Sequence, residues 1–244
     1  MLNQVKPYTN TPDSKKLQVA KMFNKIAPVY DFMNRFLSLG IDASWRKKTI
    51  LEIPKSQEPL NLLDVATGTG ALAIQISNQY PNYNIKGIDI SEGMLALGQA
   101  RIIKEGLSKN IELLVGDAEQ IPFPNNFFDV VTAAFGVRNF EHLELGLKEI
   151  HRILKSNGKI VILEFTKPRG FIFKPLFQLY FRYILPVVGK YFSKDPDAYK
   201  YLFESVQQFP DYERFTAKLQ EAGFKNCNFQ VLTFGICCIY TAEK

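Results

Sequence analysis

The chain has 244 residues, of which 46% are hydrophobic and 22% are charged, and this composition excludes a disordered chain and a collagen-like repeat. The length fits one large domain better than two complete enzymatic domains. A net charge of +6 is compatible with an anionic substrate, a nucleic acid or an anionic membrane surface and selects none of them. Because Cys227, Cys237 and Cys238 are odd in number and clustered, they predict neither a disulfide framework nor a zinc site, and we expect a cytoplasmic protein.

We expect neither a membrane span nor a secretory signal in this sequence. No stretch reaches the roughly 18 uncharged apolar residues that a membrane span requires. Residues 1–16 are polar, whereas a secretory signal peptide would be apolar. We therefore expect a protein that is soluble or peripheral to a membrane.

The N-terminal part carries helical patterns. Apolar residues recur at three- and four-residue intervals from Leu17 to Ile26, and a second pattern runs from Trp45 to Ile53. The prolines that follow break this pattern. The sequence predicts an N-terminal helical lid over residues 1–58.

From residue 59 onward, β-branched apolar runs alternate with helical stretches, and this alternation is typical of a parallel sheet with helices on both faces. The fold class predicted for residues 59–165 is therefore α/β. The predicted strands are 61–66, 84–90, 111–117, 127–135 and 158–165. The predicted helices are 71–79, 94–104 and 142–154, the last ending at Asn157-Gly158.

The remaining sequence departs from this alternation. Residues 166–210 are aromatic, basic and interrupted by prolines, and we interpret them as a cap inserted into the core. Residues 211–244 predict a helix that ends near Gly223, followed by two apolar strands. We expect these strands to pair antiparallel at the edge of the sheet and to complete the core.

A glycine loop follows the first predicted strand. Asp64 lies in the end of that strand, and Gly68 and Gly70 let the backbone turn sharply and approach a ligand closely. Asp89 ends the second predicted strand, where a carboxylate can accept both hydroxyls of a ribose. The two features together indicate a nucleoside-like ligand.

Two ligands compete for this loop. The run from Gly68 to Ala73 also satisfies the dinucleotide fingerprint, which would make the protein an oxidoreductase. Asp64 would then lie near a pyrophosphate, whereas it suits the cationic amino-acid part of S-adenosylmethionine. Asp117 and Ala118 end the third predicted strand, where an acidic residue followed by a small one suits an adenine amino group and ring. The acidic residues at three successive strand ends favour S-adenosylmethionine.

Several blocks resemble the S-adenosylmethionine-dependent methyltransferases of ubiquinone and menaquinone biosynthesis. Besides the glycine loop, they are residues 20–50, 134–140 (AFGVRNF), 154–168 (LKSNGKIVILEFTKP) and 199–211 (YKYLFESVQQFPD). The resemblance implies a class I methyltransferase (Rossmann-like) fold with a helical lid. It also implies that Thr69, Asp89, Asp117 and Ala118 contact S-adenosylmethionine as methyl donor.

The sequence departs from the family at three positions. Ala134 stands where the family often has serine, Ala71 where many members have aspartate, and Asp42 where many have histidine. These differences bear on the details of cofactor contact and entry. The form GID-x-x-W at residues 40–45 resembles the menaquinone branch of the family.

The resemblance implies methyl transfer to a ring carbon of a prenylated quinol, either demethylmenaquinol or a benzoquinol intermediate of ubiquinone biosynthesis. Arg138 is our candidate for stabilising the oxyanion that activates the ring, and Asn139 for orienting Arg138 or a water. Tyr30, in the lid, is the candidate for relaying a proton. The alternatives are a surface salt bridge from Arg138 to Glu141 or Glu144, and a packing role for Tyr30.

Residues 171–192 place Lys174, Arg182 and Lys190 among aromatic side chains. This pattern fits either a folded cap or a patch that contacts the inner face of the membrane transiently, near the prenyl tail of the substrate. We expect no metal, because no His/Cys cluster is present, and no nucleic-acid partner, because residues 134–140 lack the Asn-Pro-Pro-Tyr type sequence of amino-methylating DNA enzymes. A homodimer and a non-catalytic binding module stay open at this point.

Overall fold

The computed structural model describes residues 4–9, 11–170, 173, 175, 179 and 195–244. Its helices are α1 (Lys15–Leu37), α2 (Ile41–Leu51), α3 (Ala71–Gln79), α4 (Glu92–Lys104), α5 (Leu143–Ile153), α6 (Pro196–Gln208) and α7 (Glu213–Glu221). Its strands are β1 (Asn61–Val65), β2 (Asn84–Asp89), β3 (Ile111–Val115), β4 (Phe128–Ala134), β5 (Leu154–Phe165), β6 (Lys225–Leu232) and β7 (Cys237–Glu243).

The strands form one sheet in the order β3-β2-β1-β4-β5-β7-β6. Strands β1 to β5 are parallel, and β7 pairs antiparallel with both β5 and β6. The predicted α/β class and the antiparallel C-terminal edge are both confirmed. Each predicted strand of the core overlaps an observed one, because the buried β-branched runs carry the signal.

One predicted boundary is wrong. The helix expected to run to Asn157-Gly158 ends at Ile153, and β5 begins at Leu154. Leu154 is fully buried and pairs with Phe128 across the sheet, so burial in the ladder takes it out of the helix. Asn157 adopts a φ of 62° within the strand, beside an irregularity in the pairing of β4 with β5.

Apolar clusters cover both faces of the sheet. One cluster joins the sheet to α5 and α7, and the other joins it to α2, α3 and α4. A third cluster packs α1 against α6 and Met94 of α4. Helix α1 packs along α4, and its residues border a cavity together with residues at the carboxyl ends of the parallel strands. In the described part of the chain, no helix is both long enough and apolar enough to span a bilayer.

The described parts of the predicted cap are residues 166–170, single positions up to 179, and α6 with its flanks. Phe173 stacks on Phe234 with 4.0 Å between the ring centroids. Tyr199 and Tyr201 of α6 are buried against α1. The basic positions Lys174, Arg182 and Lys190 of the expected membrane patch lie outside the described residues.

Candidate active site

The glycine loop joins β1 to α3 in an unusual backbone conformation. Ala66, Gly68 and Gly70 have φ values of 53°, 57° and 71°, which favour residues without a Cβ. A Cβ on Gly68 would meet open space, so this glycine leaves room for a ligand. A Cβ on Gly70 would face apolar side chains, and Gly70 does not line the cavities described below. Gly70 therefore shapes the turn, while Gly68 borders the ligand site.

Asp89 is held at the tip of β2 by backbone donors. One carboxylate oxygen accepts the N–H of Gly68 and the other accepts the N–H of Ser91, both at 2.8 Å. Burial raises the pKa of Asp89. The carboxylate lines a cavity of about 70 Å³ between α1 and the strand ends, which we call the Asp89 cavity.

Asp117 and Ala118 line the same cavity at the end of β3. Lys16 of α1 lies 2.5 Å from the Asp117 carboxylate and 3.3 Å from that of Glu119. The acidic group expected to meet an adenine amino group is therefore paired with a lysine of the lid. An arriving amino group would compete with Lys16 for Asp117.

Asp64 borders a second space of about 180 Å³, which we call the Asp64 cavity. Its two oxygens accept the hydroxyls of Thr67 and Thr132 at 2.7 Å, and it is 1% exposed. Burial raises the pKa of Asp64 to about 6. Thr69 lines this cavity as well, and its hydroxyl donates to Asp31 of α1 at 2.9 Å.

The Asp89 and Asp64 cavities meet at Gly68, Ala66 and Ala134. Carboxylates thus flank an open glycine at three strand ends, as a ligand with a ribose and a cationic group requires. The residues present fit S-adenosylmethionine. The Ala134 side chain offers no hydroxyl at the point where the two cavities join.

A third, apolar cavity of about 480 Å³ lies between α1, α2, α6 and the carboxyl end of β5. Tyr30 and Phe135 line all three cavities, so the apolar cavity adjoins the other two. Phe135 has a φ of 57°, a strained value for a bulky residue that turns the chain at this junction. The apolar lining includes Met22, Ile26, Met33, Trp45, Phe165, Tyr199, Leu202 and Ile236.

Arg138 reaches this apolar cavity from the turn after β4. Its guanidinium Nη1 lies 2.8 Å from Oε1 of Glu164, and the two side chains are 5% and 0% exposed. Nη1 also donates to the carbonyl of Phe135, and the guanidinium lies 5.4 Å from the centroid of the Phe165 ring. Within the described residues, Arg138 lines the apolar cavity and does not line the Asp89 or Asp64 cavities.

The alternative interpretation of Arg138, a surface salt bridge to Glu141 or Glu144, is wrong in both partner and place. Glu141 accepts the backbone N–H groups of Lys15 and Lys16, and Glu144 pairs with Lys218. Glu141 therefore caps the start of α1, and Glu144 links α5 to α7. The partner of Arg138 is the buried Glu164, on β5.

Asn139 and Tyr30 flank the same junction. The Asn139 side-chain amide donates to the Phe135 carbonyl at 3.4 Å, so it shares an acceptor with Arg138 rather than contacting it. Asn139 lines both the Asp89 cavity and the apolar cavity. Burial raises the pKa of Tyr30, although the positive charge of Arg138 and a hydrogen bond with Asn34 act in the opposite direction.

Comparison with known proteins identifies the family. The sequence profile of the ubiE/COQ5 methyltransferase family matches residues 11–244. The chain belongs to this family. It is 46% identical over 242 residues to a protein of Bacteroides fragilis named demethylmenaquinone methyltransferase, covering 99% of this chain and 98% of that protein. It is 45% identical to the ubiquinone/menaquinone biosynthesis C-methyltransferase UbiE of Geotalea daltonii, covering 96% and 98%.

Solved structures agree on the fold. A SAM-dependent methyltransferase of Thermotoga maritima superposes with a TM-score of 0.66 at 16% identity, covering 92% of this chain and 99% of that one. A SAM-dependent methyltransferase from Aquifex aeolicus superposes with a TM-score of 0.58 at 21% identity, covering 81% of this chain and 88% of that one. This ubiE/COQ5 family member is therefore an S-adenosylmethionine-dependent methyltransferase, as predicted. The dinucleotide oxidoreductase alternative is wrong.

Sequence reasoning missed three residues of this methyltransferase site. Glu164 pairs with Arg138, and its signal is a charged residue inside the otherwise apolar run of β5. Lys15 donates to the carbonyls of Arg138 and Phe140 at 3.2 and 2.8 Å, and burial lowers its pKa to about 8. Tyr201 lines the apolar cavity from α6, and no spacing in the sequence distinguishes it from other buried aromatic residues.

Proposed function

We propose that this methyltransferase converts demethylmenaquinol to menaquinol by adding a methyl group to a ring carbon. One observation carries the proposal. An apolar cavity of about 480 Å³, large enough for a ring and part of a prenyl tail, adjoins the glycine-loop cavities and contains the buried cation Arg138. The names of the relatives in Bacteroides fragilis and Geotalea daltonii support a quinone substrate.

We assign the methyl donor to the Asp89 and Asp64 cavities. Asp89 would hold the ribose hydroxyls, Asp117 and Ala118 the adenine, and Asp64 with Gly68 the cationic amino-acid part. When bound, S-adenosylmethionine supplies an electrophilic methyl group on its sulfonium sulfur. The residues of this chain then have to activate and align the ring carbon of the acceptor.

Activation of the ring carbon depends on the neighbouring hydroxyl. A phenol-like pKa near 10 leaves only a small ionised fraction at neutral pH, and each unit by which it falls corresponds to about 1.4 kcal/mol. A guanidinium is a strong hydrogen-bond donor to an oxyanion, and Arg138 lines an apolar cavity, so it would stabilise the oxyanion. The Glu164 pair fixes the guanidinium in place before substrate arrives.

During the transfer the quinol loses two protons and regains one. The hydroxyl gives up its proton, the ring carbon forms the bond to the methyl group as the sulfur–carbon bond breaks, and the same carbon then loses its hydrogen as a proton. The oxygen regains one proton, so one proton is released for each methyl transferred. Tyr30 lies where all three cavities meet and would relay the proton, and Asn139 would orient the hydroxyl.

Alignment contributes the largest part of the rate. Holding the methyl group and the ring carbon in line can supply about 7–11 kcal/mol. Helix α1 would maintain this geometry and exclude water, because Asn24 accepts the Ser91 hydroxyl and the Gly93 N–H at 2.8 Å. The lid is thereby tied to the start of α4, directly after Asp89.

Turnover assays with two acceptor rings test this proposal. The protein is incubated in detergent with labelled S-adenosylmethionine and either demethylmenaquinol or the benzoquinol intermediate of ubiquinone biosynthesis, and products are analysed by mass. We expect label in the naphthoquinol at the higher kcat/KM, because residues 40–45 resemble the menaquinone branch. A higher kcat/KM for the benzoquinol would assign the chain to the ubiquinone branch, and no label in either ring would overturn the proposal.

We further propose that the protein contacts the membrane peripherally, since a prenylated substrate resides in lipid. Lys174, Arg182 and Lys190 lie in an aromatic sequence, and each basic residue near an anionic surface is worth about 1 kcal/mol. Co-sedimentation with anionic vesicles should weaken as salt is added. The partition coefficient should fall by roughly two decades when all three basic residues are replaced by alanine. Equal sedimentation with anionic and neutral vesicles, for both proteins, would refute the electrostatic contact.

A further inference from the structure

We propose that the hydroxyl of Tyr201 contacts the substrate, donating a hydrogen bond to a ring oxygen beside Arg138. This proposal rests on the function proposed above, because it assigns a further residue to the same acceptor site. Tyr201 lies on α6, a different element from the glycine loop and from the turn after β4. A contact between Tyr201 and the substrate would make α6 part of the substrate-binding site.

The first observation is an unpartnered hydroxyl. Tyr201 is 2% exposed, and its hydroxyl has no hydrogen-bond partner among the residues that the structure describes. Tyr212 and Tyr83 show the usual arrangement, since their buried or half-buried hydroxyls donate to backbone carbonyls at 2.9 and 2.6 Å. Burying a hydroxyl without a partner is costly, so such a group in a cavity indicates a ligand.

The second observation is that three more residues lining the same cavity each carry a buried polar atom without a partner in the described part of the chain. They are Arg138 (Nε) and Asn139 (Oδ1), in the turn after β4, and Arg46 (Nε), on α2. Helix α6 packs against the turn that carries Arg138 and Asn139, and the charges of Arg138 and Glu164 act on Tyr201. Tyr201 and Arg138 therefore supply two unpartnered donors, and Asn139 an unpartnered acceptor, on two elements that pack together beside one apolar cavity.

This set matches the two states of a quinol hydroxyl. In the neutral quinol, the hydroxyl proton can be donated to Oδ1 of Asn139. In the ionised state, the oxygen can accept hydrogen bonds from Nε of Arg138 and from the Tyr201 hydroxyl. Burial raises the pKa of Tyr201 above its usual value, so the group keeps its proton and acts as a donor rather than a base.

The variant Tyr201→Phe removes the hydroxyl and keeps the ring. Since the hydroxyl has no partner among the described residues, we expect thermal stability to be unchanged or raised. We expect kcat/KM for demethylmenaquinol to fall about tenfold to a hundredfold, with the affinity for S-adenosylmethionine unchanged. The pH at which the rate reaches its plateau should rise by about one unit, because the bound oxyanion loses a donor.

A matched control is Tyr80→Phe. Tyr80 is also a buried tyrosine, its hydroxyl donates to the Ile50 carbonyl at 3.5 Å, and it lines none of the three cavities. Its loss should leave kcat/KM and the pH profile as in the wild type. A Tyr201→Phe protein that is less stable, with an unchanged pH profile, would give Tyr201 a structural role and overturn the proposal.

A binding measurement separates this proposal from the proposed function. Trp45 is the single tryptophan of the chain and lines the apolar cavity, so its fluorescence reports occupancy there without turnover. The probe is 2,3-dimethyl-1,4-naphthoquinone, whose oxygens accept hydrogen bonds. The affinity of its hydrocarbon analogue, 2,3-dimethylnaphthalene, is measured by displacement of the bound quinone. In Tyr201→Phe, the Kd of the quinone should rise about threefold to tenfold and that of the hydrocarbon should not change.

The outcomes of the two assays are distinguishable. If the wild type methylates neither quinol while quinone binding depends on Tyr201, the proposed function fails and the assignment of Tyr201 stands. If the wild type methylates demethylmenaquinol and Tyr201→Phe changes neither quinone affinity nor kcat/KM, the proposed function stands and Tyr201 has no contact with the ring oxygen.

Discussion

Arg138 and Glu164 form an ion pair inside the protein, with 2.8 Å between Nη1 and Oε1 and almost no exposure of either side chain. Glu164 also accepts the backbone N–H of Arg138 at 3.1 Å, so both of its oxygens serve the same residue. Removing two charges from water is costly, and the pair offsets this cost only while both members are present. The residue proposed for catalysis is therefore also one on which the fold depends.

The first prediction concerns the stability of this pair. Glu164→Gln leaves the Arg138 charge buried without a counterion and should lower the free energy of unfolding by about 3–5 kcal/mol. Urea denaturation measures it. The control is Glu105→Gln, which breaks the partly exposed pair with Arg101 at 2.9 Å and should cost at most about 1 kcal/mol. Equal effects of the two variants would show that the Arg138 pair contributes no more than a surface one.

The second prediction separates the catalytic role of Arg138 from its structural role. Arg138→Met should lower both stability and turnover, the latter about a hundredfold or more, with S-adenosylmethionine affinity near that of the wild type. The double variant Arg138→Met with Glu164→Gln buries no charge and should regain most of the stability. If its turnover also recovers, Arg138 does not stabilise the transition state.

The glycine loop can be predicted from the sequence, whereas the partner of Arg138 cannot. Local signals located the glycine loop, Asp89 and Asp117, since apolar runs and strand ends are features of neighbouring residues. The partner of Arg138 lies on another strand and belongs to a three-dimensional contact that no spacing encodes. The helix boundary at Ile153 was missed for the same reason, because pairing with β4 draws Leu154 into the sheet.

The third prediction concerns the ribose site. Asp89→Ala should weaken S-adenosylmethionine binding by about 1.5–3 kcal/mol, the range for hydrogen bonds to a charged group. Isothermal calorimetry measures it. Asp129→Ala is the matched control, since Asp129 accepts the Asn61 N–H and pairs with Lys155 at the opposite ends of the strands. A dissociation constant unchanged by Asp89→Ala would remove Asp89 from the ribose site.

The fourth prediction is a pH dependence that originates at Asp64, whose pKa burial raises to about 6 from its ordinary 3.8. Between pH of about 4 and 6 the unfolded chain carries this charge and the folded protein does not, so Asp64 makes the fold less stable as pH rises through that window. A cationic ligand favours the ionised carboxylate. The affinity for S-adenosylmethionine should therefore increase as pH rises through about 6.

The variant Asp64→Asn checks this assignment. It keeps the shape of the side chain and removes the titration, so the pH dependence of the S-adenosylmethionine dissociation constant should become flat between pH of about 5 and 7.5. A variant with the same slope as the wild type would assign the titration to another group, such as Asp89.

Retention or loss of deuterium at the acceptor carbon tests most directly whether the methyl group is transferred to a ring carbon. Demethylmenaquinol carrying deuterium at the unsubstituted ring position is incubated with the protein and S-adenosylmethionine, and the product is analysed by mass spectrometry. Transfer to carbon predicts a product that has gained one methyl group and lost the deuterium. A product that has gained the methyl group and kept the deuterium would place the methyl on oxygen and contradict the account.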